Sequence, residues 1–231
     1  MKNEIYIEFG HSNIKVRQKD ELLVIRDLKE FSEKVDKTSS HKVVITDVEK
    51  KKNINRFYSS NDIPFKIIEK DDIDNVLKYD YDIEDLGIDR ILMCEYVRSK
   101  YGDSCIVLIS FGTAITFNIL IRDSFKGGAI IPSAYLMYRS LKELSGISSK
   151  IEDDLSLTDD LNYYSRNTQE SVSGGITNLI KSNIESHIRR FPKALFIATG
   201  GGAEHRIVLE YERFEYSKDL LLSSIEHGRF V

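Results

Sequence analysis

The chain has 231 residues, a formal net charge of −4, 41% apolar residues and 30% charged residues. That length allows one large domain or two modest ones with a real hydrophobic core. The acidic balance leaves no electrostatic footprint for nucleic acid, and no apolar run reaches the roughly 20 residues a spanning helix needs, so neither nucleic acid nor a membrane is an expected partner.

Glu4 to Phe9 alternates apolar and polar residues and stops at Gly10, reading as a strand. The residues before it carry no signal-peptide pattern, and a cytoplasmic setting is expected. Asn13 to Val16 and Leu22 to Ile25 continue an opening meander, with Gly10-His11-Ser12 as its first turn. Leu28 to Val35 has helical spacing, Val43 to Ile45 is a short buried strand, and Ile54 to Tyr58 is helical. Lys50, Lys51 and Lys52 form the one basic run and read as a solvated helix face or loop. Pro64 to Ile68 makes a further strand, with proline at its start. The order βββαβαβ is the pattern of a ribonuclease-H-like half-domain.

The polar stretch from Glu69 to Asp74 is expected to connect two halves. An amphipathic helix follows from about Asp89 to Lys100 and ends at Tyr101-Gly102. A second meander takes Cys105 to Ile109, Ala114 to Ile121 and Gly127 to Ile131. Cys94 and Cys105 lie outside any CxxC pair and read as buried free thiols. Helices are expected from about Pro132 to Leu144 and Thr168 to Arg190, with a polar loop from Ser145 to Asn162 between them. Ala194 to Ala198 is a short strand running into Thr199-Gly200-Gly201-Gly202, and a last helix covers about Lys218 to His227.

Each meander carries a glycine at its first hairpin, Gly10 and Gly112. This approximate duplication predicts an α/β chain of two ribonuclease-H-like domains, 1–88 and 89–231, with a cleft between them. The stretch Ile106 to Leu120 holds the second hairpin turn, Phe111-Gly112-Thr113-Ala114. By itself it fits an ordinary hairpin, or a backbone that approaches a phosphate closely because glycine has no Cβ.

Four motifs, in order across nearly the whole chain, resemble those of the type III pantothenate kinases, in the acetate and sugar kinase/Hsp70/actin superfamily. Glu8-Phe9-Gly10-His11-Ser12-Asn13 is similar to a D-x-G-N-T-N phosphate loop, and Gly87-Ile88-Asp89-Arg90 to G-x-D-R. Ser110-Phe111-Gly112-Thr113-Ala114-Ile115-Thr116 is similar to D-x-G-T-A-x-T. The fourth combines Gly127 to Pro132, Asn167-Thr168 and Thr199 to Gly201.

The resemblance implies ATP-dependent phosphorylation of pantothenate, the first step towards coenzyme A, by a homodimer whose every subunit has two actin-like ATPase-type domains. It implies Asp89 as general base, since phosphoryl transfer needs positioning, charge neutralisation and one group to take the hydroxyl proton. Gly87, Ile88, Arg90 and Thr168 are the implied pantothenate contacts, with either Tyr79 or Tyr81. Glu8, Gly10, His11, Ser12, Asn13, Gly112, Thr113, Thr199, Gly200 and Gly201 are the implied ATP contacts. Glu8 would serve Mg²⁺, directly or through water. Read without the motifs, Asp89 is a helix N-terminal carboxylate, Thr168 a local helix-start hydrogen bonder and the glycine run a flexible turn.

The chain departs from the pattern in four places. Glu8 replaces the family's Asp, His11 and Ser12 replace Asn and Thr, Ser133 replaces a Gly, and Ser110 replaces the Asp of the third motif. That Asp implies an activating K⁺ or NH₄⁺ in the family; a serine hydroxyl is a neutral, weaker ligand for a hard cation, which weakens the case for one here. The alternatives to a pantothenate kinase are a weak or inactive relative that binds nucleotide or pantothenate as a regulatory accessory protein, and a kinase for another small hydroxyl compound.

Overall fold

The computed structural model of the chain describes residues 4–19, 21–102, 104–153, 155, 157, 164–201, 207 and 209–230. Two compact units form: Met1–Gly102 with Asp123–Phe125 and Asp219–Val231, and Asp103–Arg122 with Lys126–Lys218. These packing units do not divide the chain at the 88/89 junction expected from the duplication, because the helix that follows it packs within the first unit.

In the first unit, strands β1 (Glu4–Phe9), β2 (Ile14–Gln18) and β3 (Glu21–Ile25) form the antiparallel meander. β4 (Ser40–Ile45) and β5 (Phe65–Ile67) add in parallel, giving the order β3-β2-β1-β4-β5. The alternation in β1 sends Ile5, Ile7 and Phe9 into the core. There they meet Phe31 from α1 (Leu28–Lys34) and Ile54 and Tyr58 from α2 (Lys51–Asn61). Asp27 caps α1 by accepting the Glu30 N–H, and Tyr58 stacks on Phe65 at 4.3 Å while its hydroxyl meets His41 Nδ1 at 3.0 Å.

The stretch expected to connect two halves instead folds as a 3₁₀ turn, Lys70–Asp72, closed by a capping box inside the first unit. Lys70 Nζ there donates to the carbonyls of Ile83 and Glu84. A two-residue strand missed in the sequence, β6 (Lys78–Tyr79), pairs in parallel with Ser124 and Phe125. Helix α3 (Ile88–Tyr101) closes at Gly102, whose φ of +67° suits glycine. It packs on the last helix, α7 (Leu220–His227), which Arg17 of β2 holds through Asp219 and Glu226.

The second unit repeats the pattern. β7 (Ile106–Phe111), β8 (Ala114–Ile121) and β9 (Ser124–Pro132) form the meander, and β10 (Leu195–Gly200) and β11 (Phe214–Ser217) run parallel to β7. Their order β9-β8-β7-β10-β11 matches that of the first sheet. The fold is therefore α/β, with two ribonuclease-H-like sheets. α4 (Ala134–Lys142) and α6 (Thr168–Arg190) cover the sheet, and Val172, Ile176, Ile180 and Ile184 of α6 enter the core. The expected loop from Ser145 contains a one-turn helix, α5 (Ser145–Ser148); residues 154, 156 and 158–162 of it, and Gly202, lie outside the described residues. Cys94 is buried as expected, whereas Cys105 is half-buried at the edge of the second core.

Gly128 marks where β9 crosses closest to β8: a Cβ there would sit 1.7 Å from the Phe117 carbonyl oxygen. Gly128→Ala is expected to cost about 3 kcal/mol or more in urea unfolding, since backbone must move. Gly174→Ala, inside α6 with nothing within 4 Å of a Cβ, is expected to stabilise by about 0.5–1 kcal/mol in the same measurement.

Candidate functional site

In the first unit the loop Gly10–Asn13 joins β1 to β2. Gly10 N–H donates to the Asn13 carbonyl at 3.1 Å, and a Cβ on Gly10 would lie 3.1 Å from that oxygen and 3.3 Å from Glu8 Oε1. Glycine is thus favoured by crowding rather than by a left-handed backbone. Gly10 is buried, while His11, Ser12 and Asn13 are exposed. His11 Nδ1 lies 3.0 Å from Asp47 Oδ2. The hairpin register sets Glu8 opposite Lys15, and their side chains pair at 2.9 Å. Lys15 was not singled out from the sequence; opposite charges facing each other across a short hairpin were the available signal.

Asp89 stands on the first turn of α3, whose N-cap is Gly87 with no side-chain cap. A Cβ on Gly87 would lie 2.6 Å from Asp89 Oδ1, so the missing side chain is the space the carboxylate occupies. Burial pushes the Asp89 carboxyl above the usual range, and the negative charge of Glu8 adds to it; the Arg90 N–H and guanidinium act the other way. Glu8 and Asp89, eighty-one positions apart by number, thus come within electrostatic reach in one unit. Ile88 is half-buried on the same turn.

Arg90 is buried, its guanidinium 5.6 Å from the Phe125 ring and 5.9 Å from the Tyr81 ring. Tyr79 also packs on Phe125, at 5.6 Å, but its hydroxyl donates to Glu95 Oε1 at 2.7 Å. Glu95, buried on α3, further accepts the N–H groups of Val76 and Leu77. Burial raises the carboxyl of Glu95, and burial together with that carboxylate raises the phenol of Tyr79. Tyr81 is 42% exposed, so of the two tyrosines it is the one presented to solvent. Glu95 and Phe125 were not legible as site residues, since nothing in an apolar helix face or a short strand marks them.

In the second unit, Gly112 and Thr113 are exposed at the β7–β8 turn, where Gly112 N–H donates to the Ala114 carbonyl at 3.0 Å. Register pairs Ser110 with Thr116 on one side and Thr199 on the other, and Thr199 with Ser217. Paired residues share a face, so the four hydroxyl residues form a row across the sheet with no carboxylate in it. Gly200, at φ +113°, passes so close to β7 that a Cβ would lie 2.1 Å from the Phe111 oxygen; Gly201 beyond it is exposed.

The helix-start role considered for Thr168 belongs to Asn167, whose side chain accepts the Glu170 N–H at 2.8 Å. Thr168 is half-buried and lines a groove of about 590 Å³ with Ser171 and the apolar side chains of Met137, Leu141, Ile147, Val172 and Leu179. None of the other expected site residues lines that groove. Ser133 caps α4 by accepting the Leu136 N–H at 3.3 Å, which accounts for its hydroxyl. Among the described residues, no group of three or more His, Cys, Asp or Glu could hold a metal ion, and no helix is long and apolar enough to cross a membrane.

A family model described as Type III pantothenate kinase matches residues 5–190. A type III pantothenate kinase from Thermosipho melanesiensis is 31% identical over 134 residues, 56% of this chain and 51% of that protein. One from Psychrobacter arcticus is 34% identical over 145 residues, 61% and 56% of the two chains. The chain spans about half the length of these curated relatives. Among solved structures, a Campylobacter jejuni protein assigned to a Baf family of transcriptional activators aligns at TM-score 0.67 and 18% identity, over 96% of this chain and 95% of that one. A 2-dehydro-3-deoxygalactonokinase protein from Sinorhizobium meliloti aligns at 0.59 and 9%, over 96% of each. At these identities the structures speak for the fold.

Because the charge of Glu8 adds to burial in raising Asp89, Glu8→Gln is expected to lower the Asp89 pKa while leaving it above that of an exposed Asp. Carboxyl-detected NMR titration of both proteins checks the direction; an unmoved Asp89 would show that the two groups do not sense each other.

Proposed function

The chain belongs to the type III pantothenate kinase family, and from that premise we propose that it transfers the γ-phosphoryl group of ATP to the hydroxyl of pantothenate. The observation that carries the reading is the Asp89 carboxylate, held over Gly87 at the start of α3 with Arg90 beside it. In the proposed mechanism Asp89 accepts the proton of the attacking hydroxyl, and its raised pKa makes it a stronger base than an exposed Asp. Arg90, its guanidinium beside the Tyr81 and Phe125 rings, orients pantothenate, and Gly87 and Ile88 border it. We assign the tyrosine contact to Tyr81, since the Tyr79 hydroxyl is committed to Glu95. The Thr168 contact, on the second unit's apolar groove, is carried over from the family resemblance alone.

On the nucleotide side, Gly10 to Asn13, Gly112, Thr113 and Thr199 to Gly201 are the proposed ATP contacts. Mg²⁺ is usually held by one or two carboxylates, waters and substrate phosphates, so the single Glu8 carboxylate fits a nucleotide-borne ion. Its Oε1 is turned towards Gly10 while Oε2 meets Lys15. Bound there, Mg²⁺ would neutralise phosphate charge. A charged site for K⁺ or NH₄⁺ does not fit the hydroxyl row at Ser110. We carry over the cytoplasmic homodimer from the family as part of the same reading.

A second reading, a relative that binds ATP or pantothenate without turnover, draws on that same Ser110. Incubation with ATP, Mg²⁺ and pantothenate, with and without K⁺ or NH₄⁺, separates the two. The expected result is phosphopantothenate at a rate that monovalent cation does not raise, with cation activation appearing in Ser110→Asp. Binding of either substrate by calorimetry with no product under any condition would favour the second reading.

A further inference from the structure

Lys50 opens the basic run that the sequence presents as a solvated face, yet it is anchored. It ends a 3₁₀ turn, Val48–Lys50, and its ammonium donates to the carbonyls of Gly10 at 2.8 Å and His11 at 2.6 Å. It also pairs with Asp47 Oδ2 at 3.2 Å. An ammonium has three protons to donate, and three acceptors from two segments meet it here. Asp47 is itself buried, and its other oxygen accepts the Glu49 N–H at 3.3 Å, which fixes the carboxylate on the turn.

The consequence for the loop follows from peptide geometry. A trans peptide is planar, with the carbonyl of one residue and the N–H of the next pointing in opposite directions. Drawing the Gly10 and His11 carbonyls onto one ammonium turns the N–H of each of these peptides away from the lysine and fixes both planes. The Gly10 N–H is closed on Asn13.

We propose that Lys50, held by Asp47, is a positioning residue for the phosphate loop: it holds the Gly10 and His11 peptides in place for ATP without touching the phosphates. This rests on the kinase reading above. A lysine acting as a free phosphate ligand would behave differently, because releasing it from Asp47 would leave it more available to the nucleotide.

The test compares the full chain with Lys50→Met, Lys50→Arg, Asp47→Asn and a neighbouring control, Lys51→Met, whose lysine pairs with Glu69 instead. Asp47→Asn keeps an oxygen for the Glu49 N–H while removing the charge. Measured are KM for ATP, KM for pantothenate, kcat and the thermal midpoint. Lys50→Met is expected to raise KM for ATP about tenfold, the scale of one lost charge-assisted hydrogen bond, with KM for pantothenate and the midpoint nearly unchanged. Lys50→Arg recovers part of the loss, Asp47→Asn shows a smaller rise, and Lys51→Met matches wild type. An unchanged KM for ATP in Lys50→Met, a joint rise of both KM values with a fallen midpoint, or tighter ATP binding in Asp47→Asn would each overturn the proposal. If wild type makes no phosphopantothenate, the kinase reading fails; calorimetric ATP affinity in the same variants then tests the loop, and weaker binding in Lys50→Met upholds it while equal binding overturns it.

Discussion

A carboxylate withdrawn from water resists ionisation, and a second carboxylate nearby raises that resistance. Asp89, half-buried, is held partly in that condition, opposed by the Arg90 N–H and guanidinium at the same helix start. The local chain is arranged around it. Gly87 leaves the space that Oδ1 occupies, α3 fixes the backbone, and the β1–β2 hairpin brings Glu8 within reach. Lys15 in turn compensates Glu8, so each of the two carboxylates has a cation beside it. Such an arrangement favours a group that must accept a proton over one that only holds a cation.

The two sheets share one order over five strands, and each puts its glycine turn between the first two strands of a meander. The chemistry of the two turns differs. The first carries charge on both sides, with Glu8 and Lys15 below it and Asp47 and Lys50 beside it. The second is flanked by hydroxyl groups, Ser110, Thr116 and Thr199, and by glycines that let strands approach closely. Duplication has kept the backbone while the side chains specialised.

Much of the fold was legible because alternation and helical spacing report burial directly. β1, β8 and α6 lie where the pattern places them, and the meander after each glycine follows. The short strands β6 and β11 were not, since two to four residues carry no period. The motifs marked Glu8, Gly10, Asp89 and Ser110, residues whose types are tied to their chemistry. They could not mark Lys50, Glu95 or Phe125, whose roles come from contacts with segments distant in sequence. The polar stretch at Glu69 misled for a related reason: charged residues that read as a linker close a capping box.

In the proposed mechanism Asp89 accepts the proton, and phosphoryl transfer to pantothenate by Asp89→Asn, with ATP affinity measured alongside, tests that role most directly. Loss of a positioned general base is expected to lower kcat by about 10²- to 10⁴-fold while ATP binding stays near that of wild type. A variant that retains kcat within a few-fold of wild type would contradict the assignment and move the base elsewhere.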